Sequence, residues 1–174
     1  RESAEESLVE VAHVMATLLE QQSPDDATID VSVLEPLFKS AYARNTGATI
    51  FGFEKDSVEL RLYVVDQKGI VLFDALDRHV GEDYSRWRDV RLTLKGEYGA
   101  RTSPDVDDDP NTSVMYVGAP IRLGNQIAGV VTAGKPVHTL NQFIQAARRK
   151  TLVVGLTSAT AALLLMLLLL VWLA

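Results

Sequence analysis

Residues 112–135 read TSVMYVGAPIRLGNQIAGVVTAGK, two apolar and β-branched runs, Thr112 to Leu123 and Gln126 to Lys135, on either side of Gly124-Asn125. A Gly-Asn pair between two strand-like runs is the strongest short-range hairpin signal in the chain. The same period of two appears upstream. Glu59 to Asp66 alternates Leu60, Leu62 and Val64 against Arg61, Tyr63 and Val65, Asp66-Gln67-Lys68-Gly69 makes a turn, and Ile70 to Asp74 returns. With Ala48 to Phe53 these runs predict five strands joined largely by hairpins.

Helical spacing brackets the strands. From Ser3 to Gln21, Leu8, Val11, Ala12, Met15, Leu18 and Leu19 share one face, and Ser23-Pro24-Asp25-Asp26 ends the helix. That apolar stripe could cover a sheet or pair with a second copy of itself. A shorter helix is expected from about Asp30 to Ala43, with Pro36 placing its start early or breaking it. After the strands, Pro136 is expected to open a helix carrying Val137, Leu140, Phe143, Ile144 and Ala147 on one face. Helices before and after an antiparallel sheet define an α+β domain. The expected organisation is N-terminal helices over 1–46, a sheet over 47–135 with a long insertion at 75–111, a juxtamembrane helix over 136–150 and a span over 151–174.

The last segment holds no charged residue from Leu152 to Leu173. At ~1.5 Å per helical residue this length matches the ~30 Å hydrocarbon core of a bilayer, so a transmembrane helix is expected. Arg148, Arg149 and Lys150 adjoin it, and the positive-inside rule alone would place the preceding domain in the cytoplasm. An earlier span upstream would reverse that. The chain opens on Arg1 rather than methionine and is read as a piece of a larger protein whose output lies elsewhere.

Composition narrows the function. Net charge is −6, and with Arg148, Arg149 and Lys150 set aside the 23 acidic residues outnumber the remaining basic ones by nine. Such a surface argues against nucleic acid, which needs clustered Lys and Arg. No cysteine is present, and His13, His79 and His138 show no metal-ligand spacing, so no metal or cofactor is expected. Phosphate loops, nucleophile elbows and dinucleotide fingerprints are also missing, so no catalysis is expected within these residues. The acidic run Asp105 to Asp109 lacks the glycine and terminal Glu of a calcium loop and reads as a solvated loop.

What remains is recognition. The insertion packs Asp83-Tyr84-Ser85-Arg86-Trp87-Arg88-Asp89 into one stretch. An Arg fork binds carboxylate or phosphate bidentately, and Tyr and Trp give flat walls, a suitable inventory for a small anionic or zwitterionic metabolite. The same residues would equally serve as a Trp87 core plug pinned by ion pairs.

Several motifs together resemble one family. They are Val71-Leu72-Phe73-Asp74, Val80-Gly81, Asp83-Tyr84-Ser85-Arg86-Trp87, Asp89-Val90, Thr93-Leu94, Gly96, Tyr98-Gly99-Ala100-Arg101, Ser113-Val114-Met115-Tyr116-Val117, Ala119-Pro120-Ile121, Gly129-Val130 and Gly134-Lys135-Pro136. From about Leu60 to Pro136 the chain resembles the extracytoplasmic sensor domain of CreC-type sensor histidine kinases, itself similar to PAS-like single Cache (PDC) sensors. The resemblance implies a PAS-like antiparallel sheet, a bacterial inner-membrane receptor with this domain in the periplasm, and a homodimeric two-component kinase. The kinase and its response-regulator contacts would lie beyond Ala174. It also implies a ligand held between sheet and insertion by Tyr84, Arg86, Trp87, Asp89, Arg101, Tyr116 and Lys135, with Arg86 and Arg101 facing an anion and Asp89 any amine. The alternatives are a protein-interaction or dimerisation module without a small ligand, or the sensor of a chemoreceptor or cyclic-dinucleotide enzyme.

Overall fold

The computed structural model describes residues 2–23, 28–50, 53–106, 109, 112–137, 157, 158 and 160. The chain divides into two units, Arg1–Val137 and His138–Ala174. In the second, Thr157, Ser158 and Thr160 are helical, and Thr160 Oγ1 donates to the Thr157 carbonyl at 2.9 Å. The expected juxtamembrane helix beyond Val137 and the body of the expected span lie outside the described residues. Among the described residues no helix is long and apolar enough to cross a membrane.

The first unit runs α1 (Glu2–Gln22), α2 (Leu34–Tyr42), β1 (Ala48–Ile50), β2 (Phe53–Lys55), β3 (Arg61–Asp66), β4 (Val71–Asp74), α3 (Arg88–Thr93), β5 (Gly99–Ser103), β6 (Val114–Leu123) and β7 (Gln126–Pro136). The Gly124-Asn125 hairpin forms as its sequence requires, with β6 and β7 paired from Leu123↔Gln126 to Val114↔Pro136. Five strands make one antiparallel sheet in the order β4-β3-β7-β6-β5. Its membership differs from expectation at one edge. The stretch around Ala48 to Phe53 instead forms the separate β1–β2 hairpin, and Gly99–Ser103, inside the expected insertion, supplies the fifth strand.

Alternation along the strands sorts side chains between two cores. Leu62, Val64, Val117, Ala119, Ile121, Val131 and Ala133 face α1 and α2, where Leu8, Ala12, Ala16, Leu19, Leu34 and Phe38 close over them. Each fully buried leucine here, such as Leu19 or Leu34, contributes about 1.5–3 kcal/mol through burial. Tyr63, Val65 and Val130 face the other way, toward Val71, Tyr84 and Val90. α1 is also fastened near both ends. Glu5 Oε1 accepts from the Tyr98 hydroxyl at 2.6 Å, and Glu20 Oε1 accepts from the Arg122 N–H at 2.7 Å, where a β6–β7 register shift turns that group out of the ladder.

One helix boundary moves. α2 begins at Leu34 rather than Asp30, because the Asp30 carboxylate accepts from Ser32 N–H in a local turn and Pro36 falls in the first helical turn. Pro136 is the last residue of β7, and the helix expected after it lies beyond the described residues. The next N–H, Val137, donates to the Ser113 carbonyl at 2.7 Å, so the proline nitrogen faces the β3 side, where the ladder has already ended at Arg61↔Gly134. A proline there forfeits no strand hydrogen bond.

α3 lies directly on the sheet because two glycines face each other beneath it. Gly99 and Gly118 are cross-strand partners, and a Cβ on Gly99 would stand 2.2 Å from the Asp89 carbonyl oxygen. No side chain other than hydrogen fits. This close approach delivers Asp89 and Val90 to the sheet with no exposed surface.

Candidate functional site

The chain after β4 returns along its own hairpin before reaching α3. Val71 N–H donates to the Glu82 carbonyl at 2.9 Å, Gly81 N–H to the Val71 carbonyl at 2.8 Å, and Tyr84 N–H to the Gly69 carbonyl at 2.8 Å. These bonds swing Tyr84 over the sheet. A turn closed by Trp87 N–H on the Tyr84 carbonyl, 2.9 Å, then stacks the two rings at 3.6 Å and 16°. Tyr63 meets Tyr84 edge-on at 5.3 Å and Tyr116 at 5.7 Å. Four aromatic rings from β3, β6 and the insertion therefore stand together on the face opposite α1.

Between these rings and the end of β5 opens a cleft of about 400 Å³, within the range of small-molecule sites. Its lining includes Arg61, Tyr63, Asp74, Arg78, His79, Tyr84, Trp87, Arg101, Ser103, Asp105 and Tyr116. Arg101 forms one wall. Its guanidinium carbon sits 3.8 Å from the Trp87 ring centre and 4.5 Å from that of Tyr116, its cross-strand partner. Tyr116 can lie flat because Gly134 is opposite it, where a Cβ would come within 2.6 Å of the ring.

Beneath Arg101 is a buried acid. Asp89 Oδ1 accepts from Arg101 Nε at 3.0 Å, and Asp89 Oδ2 accepts from the Tyr63 hydroxyl. Arg101 Nη1 donates to Ser103 Oγ, while Nη2 finds no partner among the described residues. Burial, reinforced by the Asp89 charge, pushes the Tyr63 phenol far above its ordinary value. Burial works against the Arg101 charge, and Asp89 together with Tyr63 more than compensates, so the guanidinium is held more firmly protonated than usual. Burial also raises the Tyr84 and Tyr116 phenols.

The mouth of the cleft carries a second charge pair. Arg61 Nη1 and Nη2 lie 2.5 and 2.8 Å from the two carboxylate oxygens of Asp105, and Arg78 Nη1 lies 3.6 Å from Oδ1. The Arg61 hydrogen bonds hold the Asp105 carboxyl below its usual range. Asp74 is occupied with its own turn, accepting from Leu76 N–H at 3.0 Å and Arg78 N–H at 3.2 Å. Among the described residues no three metal-ligating side chains converge.

Of the residues singled out in the sequence, Tyr84, Trp87, Arg101 and Tyr116 line the cleft together, and Asp89 lies under it, covered by Arg101. Arg86 is exposed and outside the lining. Lys135 is also outside it, for a reason of parity: on β7 it follows Val131 and Ala133, which face α1. Arg61, Arg78 and Asp105 were not among the expected ligand-binding residues. Arg61 could have been found from the alternation of β3, where it shares a face with Tyr63. Asp105 carried no signal beyond an acidic run.

Numbered within the sheet, the five strands lie in the order 2-1-5-4-3, with a long helix across one face and an aromatic, cationic cleft on the other. This is an α+β domain on a PAS-like antiparallel sheet. Over 99% of its length the chain is 36% identical to the sensor protein CreC of Escherichia coli (strain K12), so the resemblance carried by its motifs stands. The chain spans about a third, 36%, of the length of that relative. No family model matches the chain. Among solved structures, the sensor domain of the V. cholerae histidine kinase DctB aligns with 47% of this chain and 33% of its own, at 19% identity and a TM-score of 0.40, too distant to carry an argument.

Proposed function

We propose that this chain is the extracytoplasmic sensing domain of a membrane-bound two-component histidine kinase, and that its cleft binds a small carboxylate-bearing metabolite. The observation that carries the ligand reading is the cleft itself: open space of about 400 Å³ walled by Tyr84, Trp87 and Tyr116 and edged by guanidinium groups. Aromatic walls supply apolar contact, and guanidinium forks orient a planar anion. A Trp87 that merely filled the core would favour a docking module; a cleft beside Trp87 favours a ligand. The kinase reading draws on the likeness to CreC and on the apolar run over 151–174. In this reading the domain lies in the periplasm of a bacterial inner membrane, works as a homodimer, and signals through the segment after β7. A ligand shifts that output only by as much as it prefers one state over the other.

The test is a thermal-shift screen of the chain in detergent micelles against small carboxylates, amino acids and inorganic phosphate. A compound that binds only the folded state raises its stability by RT ln(1 + [L]/Kd). The expected result is a carboxylate hit that disappears in Tyr116→Ala, with the unliganded melting transition retained. A folded protein stabilised by none of these compounds would refute the metabolite reading.

A further inference from the structure

The two guanidinium poles of the cleft are neutralised in different ways. Arg101 is committed. Its Nε and Nη1 bond Asp89 and Ser103, and its plane lies against Trp87 and Tyr116. The carboxylate it serves has no exposed surface and is also held by the Tyr63 hydroxyl. Nothing entering the cleft can replace Asp89 without dismantling the floor.

Arg61 is different. It offers its outer fork, Nη1 and Nη2, to Asp105, and both partners keep about a fifth of their side-chain surface open, 20% and 23%. Asp105 lies just beyond β5, its N–H turned to Thr112 in the same loop at 3.1 Å from the carbonyl and 3.2 Å from Oγ1. Arg78 approaches the same carboxylate from the segment after β4. Two cations from separate elements therefore converge on one carboxylate that arrives from the rim.

We propose that Arg61 and Arg78 form the anion subsite of the cleft, and that Asp105 is its internal occupant, displaced when a ligand carboxylate binds. This rests on the small-metabolite reading above and adds which groups read the anion. The occupant defines the chemistry. A fork bonded to both oxygens of one carboxylate is shaped for a planar two-oxygen anion, and exchanging one carboxylate for another leaves Arg61 paired throughout. The guanidinium is already positioned, so the main cost of binding is release of the Asp105 side chain. A resident competitor also lowers apparent affinity by the fraction of time the subsite is free, so removing it must tighten binding. Because Asp89 neutralises the Arg101 charge, a single ligand carboxylate suffices, and the aromatic wall takes the remainder of the molecule.

The chain has two tryptophans, Trp87 in the cleft wall and Trp172, so in a Trp172→Phe parent the fluorescence reports Trp87 alone. In detergent micelles this parent is titrated separately with acetate, succinate, citrate and inorganic phosphate, alongside Asp105→Asn, with Asp105→Ser as a second variant should the first lose its near-UV circular dichroism. The expected result is saturable binding of a carboxylate that becomes about tenfold tighter or more without the Asp105 charge, with the gain abolished by adding Arg61→Gln. Carboxylate binding that stays within about twofold, or weakens, overturns the subsite and leaves the metabolite reading standing. A gain for phosphate alone overturns the carboxylate assignment. No saturable response in parent or variants overturns the subsite and the metabolite reading together.

Discussion

Asp89 and Arg101 meet at 3.0 Å, Oδ1 to Nε, in an ion pair whose carboxylate is wholly buried and whose guanidinium side chain is only 14% exposed. The pair joins α3 to β5 and holds the cleft floor against the sheet. Removing one partner of a buried pair strands the other charge away from water, typically costing about 3–5 kcal/mol. Asp89→Ala is therefore expected to lose stability on that scale in urea denaturation, because Arg101 and the Tyr63 hydroxyl both lose their acceptor. A loss below about 1 kcal/mol, the scale of an exposed pair, would contradict this account.

Gly99 and Gly118 set how closely α3 approaches. A methyl group on Gly99 would meet the Asp89 carbonyl oxygen at 2.2 Å, backbone that cannot rotate away, whereas on Gly118 it would first meet the Thr93 hydroxyl at 2.7 Å. Overpacking of this kind costs about 1–3 kcal/mol. Gly99→Ala should fall at the upper end of that range and shift Trp87 fluorescence, with Gly118→Ala milder. Equal stability of Gly99→Ala and the parent would show that α3 lies elsewhere.

All five tyrosines are shifted upward, each with burial as the first cause, and Tyr98, helped by its bond to Glu5, is pushed up to about 12. A raised phenol contributes stability that is complete below its unfolded value of about 10 and is lost as pH rises through the folded value. Melting temperature should therefore fall above about pH 10, with tyrosinate absorbance appearing together with unfolding. Tyrosinate forming at about pH 10 in a protein that stays folded would count against the packing described.

Asp105 gives the opposite slope. Its carboxyl is lowered, first by the hydrogen bonds from Arg61, so its contribution is present above the unfolded value of about 3.9 and disappears as pH falls through the folded one. At neutral pH Asp105→Asn should melt below the parent, and the gap should close on acidification below about pH 3.9. A gap that is absent at neutral pH, or that persists in strong acid, would refute the pairing.

Much of the fold was legible because it is local. Gly124-Asn125 announces its hairpin, the alternation from Leu60 to Val65 already separates the two cores, and the apolar stripe of α1 is plain from Leu8 to Leu19. β5 was not legible. Gly99, Ala100, Arg101, Thr102 and Ser103 show no apolar alternation, and their strand state comes from pairing with β6. In the cleft, residue type pointed to Tyr84, Trp87, Arg101 and Tyr116. The pairing of Arg61 with Asp105, 44 residues apart, follows only from the tertiary fold. Lys135 shows a different failure, for its face could have been counted from Val131 and Ala133.

Tyr116 rests on Gly134, and β7 stays hydrogen-bonded through Val137, three residues further on. Three extended residues cover only about 10 Å. There is no slack in that distance: it holds no loop, no glycine after Gly134, and a proline whose backbone torsion is locked. A displacement of the Gly134 backbone beneath the Tyr116 ring therefore meets no flexible residue that could absorb it before Val137.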